Sequence, residues 1–211
     1  MEQGFAVIIA WPETLCKQAG AWYDSIVQPL GFGGNGYYPV GHAAIVLINK
    51  EGDCSYYDFG RYHTPHGTGR VRGEQTDHDL LVKTKVNFNE YGEPLLENLF
   101  NELNNNPSCH GDGVLRAGVT PINLNSCKRY IKSMQDQNYI LYGPFVKSGT
   151  NCSRFVRDVV LKGTMESSLK VKLRLPWMLT PSPIWNVKIV GEYNLEEVKE
   201  SAKVSPEYEI A

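Results

Sequence analysis

Cys152 lies in the run Gly149, Thr150, Asn151, Cys152, Ser153, Arg154, Phe155, Val156, where a short polar turn delivers a cysteine to the first turn of a helix. Thr150 or Asn151 can cap that helix by accepting a backbone N–H. Cys152, Phe155, Val156 and Val159 recur at helical spacing, so they share one face and the sulfur points into the fold. A helix start carries roughly half a positive charge, which favours the thiolate, and the thiolate is the nucleophile. Such a cysteine is built to react once a base stands beside it. Free cysteines are otherwise common core residues, and Cys16, Cys54, Cys109 and Cys127 have no comparable placement.

The base expected is His42. It begins a strand whose following residues, Ala43, Ala44, Ile45, Val46, Leu47 and Ile48, are all aliphatic. A buried imidazole needs polar partners, which an aliphatic strand does not supply. Something from elsewhere in the chain must satisfy it. The other histidines are less suited. His63, His66 and His78 fall in a polar loop, and His110 falls in a tight turn. His63 and His66 have a metal-like spacing but no third ligand is spaced for them, so no metal and no cofactor is expected.

A Cys–His pair usually has a third polar group that fixes the imidazole tautomer. The choice here is Asp58, by strand parity. If Lys50, Glu51 and Gly52 form a three-residue hairpin loop, Asn49 faces Asp53 and Ala44 faces Asp58. His42 is two residues from Ala44 on the same face, which puts Asp58 diagonal to it and within side-chain reach. A two-residue loop would send Asp58 to the opposite face and leave Tyr57 or Arg61 beside His42. Tyr142, Asn151 and Arg61 are the candidate substrate-binding residues.

A histidine-led central strand, a polar residue on its hairpin partner and a later Asn-Cys-Ser-x-Phe-Val helix start resemble the circularly permuted papain-like proteins. These are the NlpC-like and YiiX-like cysteine peptidases and amidases, with lecithin retinol acyltransferase as a relative. In papain the cysteine helix precedes the histidine strand; in the permuted group the histidine comes first, as His42 precedes Cys152. The resemblance covers about residues 40–161. It implies Cys152 as nucleophile, His42 as base and Asp58 in the third position, where YiiX-like members commonly have Glu.

The elements that must position these residues follow from periodicity. Strands are expected at 5–10, 40–48, 54–59, 80–88, 113–119 and 139–142, with edge strands at 170–175 and 187–190. Helices are expected at 12–27, 93–103, 123–137 and from 152 onward. A glycine-rich stretch at 31–36 lacks a phosphate-loop ending and reads as a linker, and 60–79 reads as a long polar loop. This is an α+β chain: a central, mostly antiparallel sheet packed against helices. A single domain spans 1–195, followed by a charged tail at 196–211.

The chain has 211 residues, 42% hydrophobic and 21% charged, a balance that suits one globular domain. A net charge of −2 without a basic cluster argues against nucleic acid as a partner. No apolar run reaches the roughly 18 residues of a membrane span, and the start lacks a basic signal-peptide region. Five scattered cysteines with no Cys-x-x-Cys pair do not form a disulfide framework, so the cytoplasm is the expected compartment. The expected activity is a thiol hydrolase cleaving an amide in a peptide, cell-wall fragment or acyl conjugate. The alternatives are an acyltransferase using the same dyad, favoured by an apolar groove near Tyr37, Tyr38 and Trp177, or a non-catalytic binding module on the same fold.

Overall fold

The computed structural model describes residues 2–17, 37–175 and 180–193. In chain order the strands are β1 Gln3–Trp11, β2 Cys16–Lys17, β3 Tyr37–Tyr38, β4 His42–Ile48, β5 Cys54–Gly60, β6 Thr68–Gly73, β7 Asn87–Phe88, β8 Pro94–Leu95, β9 Arg116–Asn123 and β10 Ile140–Leu141. The α-helices are α1 Glu97–Asn105, α2 Leu124–Gln135, α3 Cys152–Gly163, α4 Ser167–Arg174 and α5 Pro183–Val190. Six strands form one sheet in the order β10-β6-β5-β4-β1-β9, and every pair of neighbours is antiparallel.

β1 and β4 are central, and both are apolar on both faces because both faces are covered. One face, with Ala6, Ile8, Ala10, Ala43, Ile45 and Leu47, packs against α2, α3, α4 and α5. The other, with Val7, Ile9, Ala44, Val46 and Ile48, packs against Leu96, Leu99, Phe100 and Leu103 of the α1 region. The expected α+β architecture, an antiparallel sheet packed with helices, is the one observed, and it is consistent with a papain-like fold.

The β4–β5 hairpin has the expected three-residue loop. Asn49 N–H donates to the Asp53 carbonyl at 3.1 Å, and Gly52 takes a positive φ of 85°. The register pairs Ala44 with Asp58.

Several sequence expectations are corrected. The stretch 60–79 is not all loop, because β6 pairs with β5 through Asp58↔Arg72 and Phe59↔Val71. Its glycines, poor strand formers, hid it from a propensity reading. They are there because a Cβ at Gly69 would sit 2.7 Å from the Phe59 ring, and one at Gly73 equally close to Tyr57.

The strand expected at 80–88 is reduced to β7. Upstream of it the Glu102 carboxylate, not a neighbouring strand, accepts the N–H groups of Lys83 and Thr84, each at 2.7 Å. The edge strands expected at 170–175 and 187–190 are helices α4 and α5. Leu169 and Leu173 bury one face of α4 at a helical spacing, and Ser182 caps α5 with Pro183 at its first turn. The helix expected at 12–27 does not begin at its first residues: Cys16 and Lys17 pair with Tyr38 and Tyr37. Its remainder, the glycine-rich stretch 31–36 and the tail from 196 lie outside the described residues. Among the described residues no helix is long and apolar enough to cross a membrane.

Candidate active site

Cys152 is the first residue of α3, and the chain before it is fixed by the cap. The Asn151 side chain, with extended backbone, accepts from the Arg154 N–H at 2.9 Å. Of the two capping candidates, Asn151 fills the role. Phe155, Val156 and Val159 anchor the helix in the core, leaving the Cys152 side of its first turn at the end of the sheet. A second anchor comes from α5, where Asn186 donates to the Ser153 carbonyl at 2.8 Å and meets its hydroxyl at 2.9 Å.

His42 opens β4 on the parity of Ala44 and faces Trp11 of β1 in the register. The two rings stack with centroids 5.9 Å apart. The Trp11 indole N–H donates to Asn104 at 3.1 Å, so the ring against which His42 rests is itself held.

His42 Nε2 meets Asp58 Oδ2 at 3.2 Å, which leaves Nδ1 free of the carboxylate, and the Cys152 thiol is near enough to the ring to act on its protonation. His42 is 5% exposed and Asp58 fully buried. Burial by itself pulls the imidazole down. The hydrogen bonds and charges of Asp58 and Cys152 outweigh it and push His42 up to about 9. Burial also raises Asp58, but hydrogen bonds from His42 and Arg72 and their charges hold its carboxyl below the ordinary value.

Tyr142 and Arg61, both expected at the substrate, lie together: the Arg61 guanidinium sits 5.0 Å over the Tyr142 ring. Tyr142 also stacks on Phe59 and bridges to Thr150, two residues before the cysteine. Asn151 uses its side-chain oxygen for the cap. Tyr37 and Tyr38 form β3, and Trp177, the third residue of the groove considered for an acyltransferase, lies outside the described residues.

Four neighbours were not anticipated from the sequence. They are Trp11, Tyr56 (whose hydroxyl donates to Asp58 at 3.2 Å), Arg72, and Cys16, whose thiol donates to the carbonyl of Gly41 at 3.3 Å. Arg72 could have been found by alternation, since Arg70, Val71 and Arg72 read polar, apolar, polar as a strand does, but the flanking glycines masked it. Burial pushes the thiols of Cys16, Cys54, Cys109 and Cys127 up to about 12. No group of three or more potential metal ligands gathers among the described residues.

A family model described as "Type VI secretion system effector TseH-like" matches residues 6–169, most of the chain. The chain belongs to this TseH-like effector family. It is a family of papain-like hydrolytic effectors, in agreement with the sheet and helices described above. The family match includes most of β1, so it begins well before the segment on which the sequence resemblance rested. No curated protein and no solved structure matches the chain significantly.

Proposed function

We propose that this effector-family protein is a cysteine hydrolase that cleaves an amide bond, with Cys152 as nucleophile, His42 as base and Asp58 as the group that orients His42. One observation carries the reading: a cysteine at a helix start lies beside a buried histidine, and one ring nitrogen of that histidine is held by a buried carboxylate. That is the arrangement a thiol nucleophile needs. The order of the two elements, histidine strand before cysteine helix, favours the permuted papain-like arrangement.

In this mechanism His42 takes the Cys152 proton through Nδ1, and the sulfur attacks the substrate carbonyl carbon. The tetrahedral oxyanion is held by the Cys152 backbone N–H, a first-turn donor with no intrahelical acceptor, together with a donor from 142–151. Collapse breaks the C–N bond, and His42 returns the proton to the leaving amine. Water, deprotonated by the same imidazole, then hydrolyses the thioester. The substrate is a peptide, a cell-wall fragment or an acyl conjugate, with Arg61 and Tyr142 beside the scissile bond. Five free thiols suit a reducing compartment, the cytoplasm, as the place where the protein is made and kept.

The test is competitive alkylation of the folded protein with iodoacetamide at neutral pH, read by peptide mass spectrometry. Cys152 is expected to be labelled ahead of the other four cysteines, and His42→Ala to remove that lead. Equal labelling of all five, or protection of Cys152 alone, would sink the proposal.

A further inference from the structure

We propose that Arg72 is a positioning residue of this site: it grips Asp58 at two points and neutralises its charge, so that the carboxylate orients His42 without trapping the proton that His42 must give to the leaving amine. The proposal rests on the reading of His42 as the proton carrier. It goes beyond that reading by assigning a fourth residue, supplied by a different strand.

The geometry is that of a fork on a carboxylate. Arg72 Nε donates to Asp58 Oδ1 at 2.9 Å and Nη2 donates to Oδ2 at 2.6 Å. Nη2 also donates to the Ser108 carbonyl at 3.0 Å, and the guanidinium lies 3.4 Å from the centre of the Tyr62 ring. Arg72 is 4% exposed, so almost none of its charge is solvated. The guanidinium is therefore fixed by a carboxylate, a carbonyl and an aromatic face, and Lys could not reproduce that planar two-point grip.

Counting charge gives the function. A thiolate at Cys152, an imidazolium at His42, a carboxylate at Asp58 and a guanidinium at Arg72 sum to zero. Without Arg72 the same set holds a net negative charge in a buried place, and His42 keeps its proton more tightly. The remaining titratable groups around the His42, Asp58 and Arg72 cluster do not replace the lost cation. Tyr56 and Cys109 are neutral hydroxyl and thiol, the Tyr62 ring stacks with His110, Cys16 is held on the Gly41 carbonyl, and Asp77 is negative. Asp77 is moreover occupied by both ends of the Arg70 guanidinium, at 2.6 and 2.7 Å. Burial is the larger of the causes that hold His110 down, and it does not depend on Arg72. Arg61, next along from the β5 end, lies over the Tyr142 ring.

The experiment follows the ring carbon resonance of His42 by NMR in protein labelled at histidine, as a function of pH. In Arg72→Gln the titration midpoint of His42 is expected to rise by about one pH unit or more relative to the native protein. In Arg72→Lys, which keeps a charge but loses the fork, it rises by less. A purely structural Arg72 would lower the melting temperature and leave the midpoint where it was. An unmoved midpoint in either folded variant overturns the proposal, and Arg72→Lys carries the test if Arg72→Gln does not fold. The two readings fail separately: loss of selective Cys152 alkylation in the native protein removes the hydrolase, whereas selective alkylation with an unmoved His42 midpoint removes only the role of Arg72.

Discussion

Asp58 accepts from His42 Nε2, the Tyr56 hydroxyl and two nitrogens of Arg72, and all of this happens out of contact with water. At the residue scale the site is thus an electrostatic problem solved in a dry place, and its solution has a pH signature. His42 is raised from 6.5 to about 9, so its contribution to stability is complete below the unfolded value and is lost as pH rises towards about 9. The gap corresponds to roughly 3 kcal/mol. Asp58 is lowered, so its contribution is present above the ordinary carboxylate range and is lost as pH falls below that range through the lowered folded value. Urea unfolding at pH 6 and at pH 9.5 is expected to show lower stability at the alkaline end, and His42→Gln is expected to flatten most of that difference. A His42→Gln protein that keeps the full alkaline loss would mean that other groups cause it.

At the scale of elements, a tight turn decides which carboxylate meets the histidine. Gly52 has φ 85°, and a Cβ there would lie 2.0 Å from the Val86 carbonyl oxygen, while Val86 N–H donates to the Gly52 carbonyl at 2.8 Å. The loop length sets the register, and the register puts Asp58 rather than Tyr57 on the face of His42. Gly52→Ala is expected to cost more than about 1 kcal/mol in chemical denaturation, because both the backbone angle and the space oppose a side chain. It should also slow alkylation of Cys152 if the hairpin shifts. Wild-type stability in Gly52→Ala would show that the turn does not constrain the register.

The same element shows how far pattern reading goes. The β4–β5 pairing was legible because glycine, asparagine and aspartate mark a turn and the flanking strands alternate or run apolar. β6 was not legible, since its glycines make room for rings on the neighbouring strand, a relation between strands that local propensity does not carry. The helices α4 and α5 were misread as edge strands because short β-branched runs suit either state until a cap and a partner surface choose between them. Ser182 with Pro183 was the cap signal available for α5.

At the scale of the whole molecule, the two halves of the site come from opposite sides of the sheet. His42 and Asp58 share the face that packs on α1, whereas α3, which starts with Cys152, packs on the other face. They meet only at the end of β4, where the strand and the helix both begin. Phe155, fully buried one turn into α3, fixes that meeting by packing on Phe59 with ring centroids 6.3 Å apart. Phe155→Ala is expected to cost about 3–5 kcal/mol and to abolish selective Cys152 labelling by loosening α3, as measured by thermal unfolding and alkylation together. Retained labelling with an unchanged melting temperature would show that the helix is held by other contacts.

By itself the sequence pointed to the three residues proposed for the site, because each is announced locally: a capped helix start at Cys152, a histidine that an aliphatic strand cannot satisfy, and a turn whose length fixes the parity of Asp58. The tertiary structure alone decided that the carboxylate would be shared with Arg72, that Trp11 would back the imidazole and that Asn186 would tether the helix start. Those partners lie 14, 31 and 33 residues from the groups they serve. Contacts of that kind depend on which strands become neighbours in the sheet, and strand order is set by the packing of the whole core rather than by any one segment.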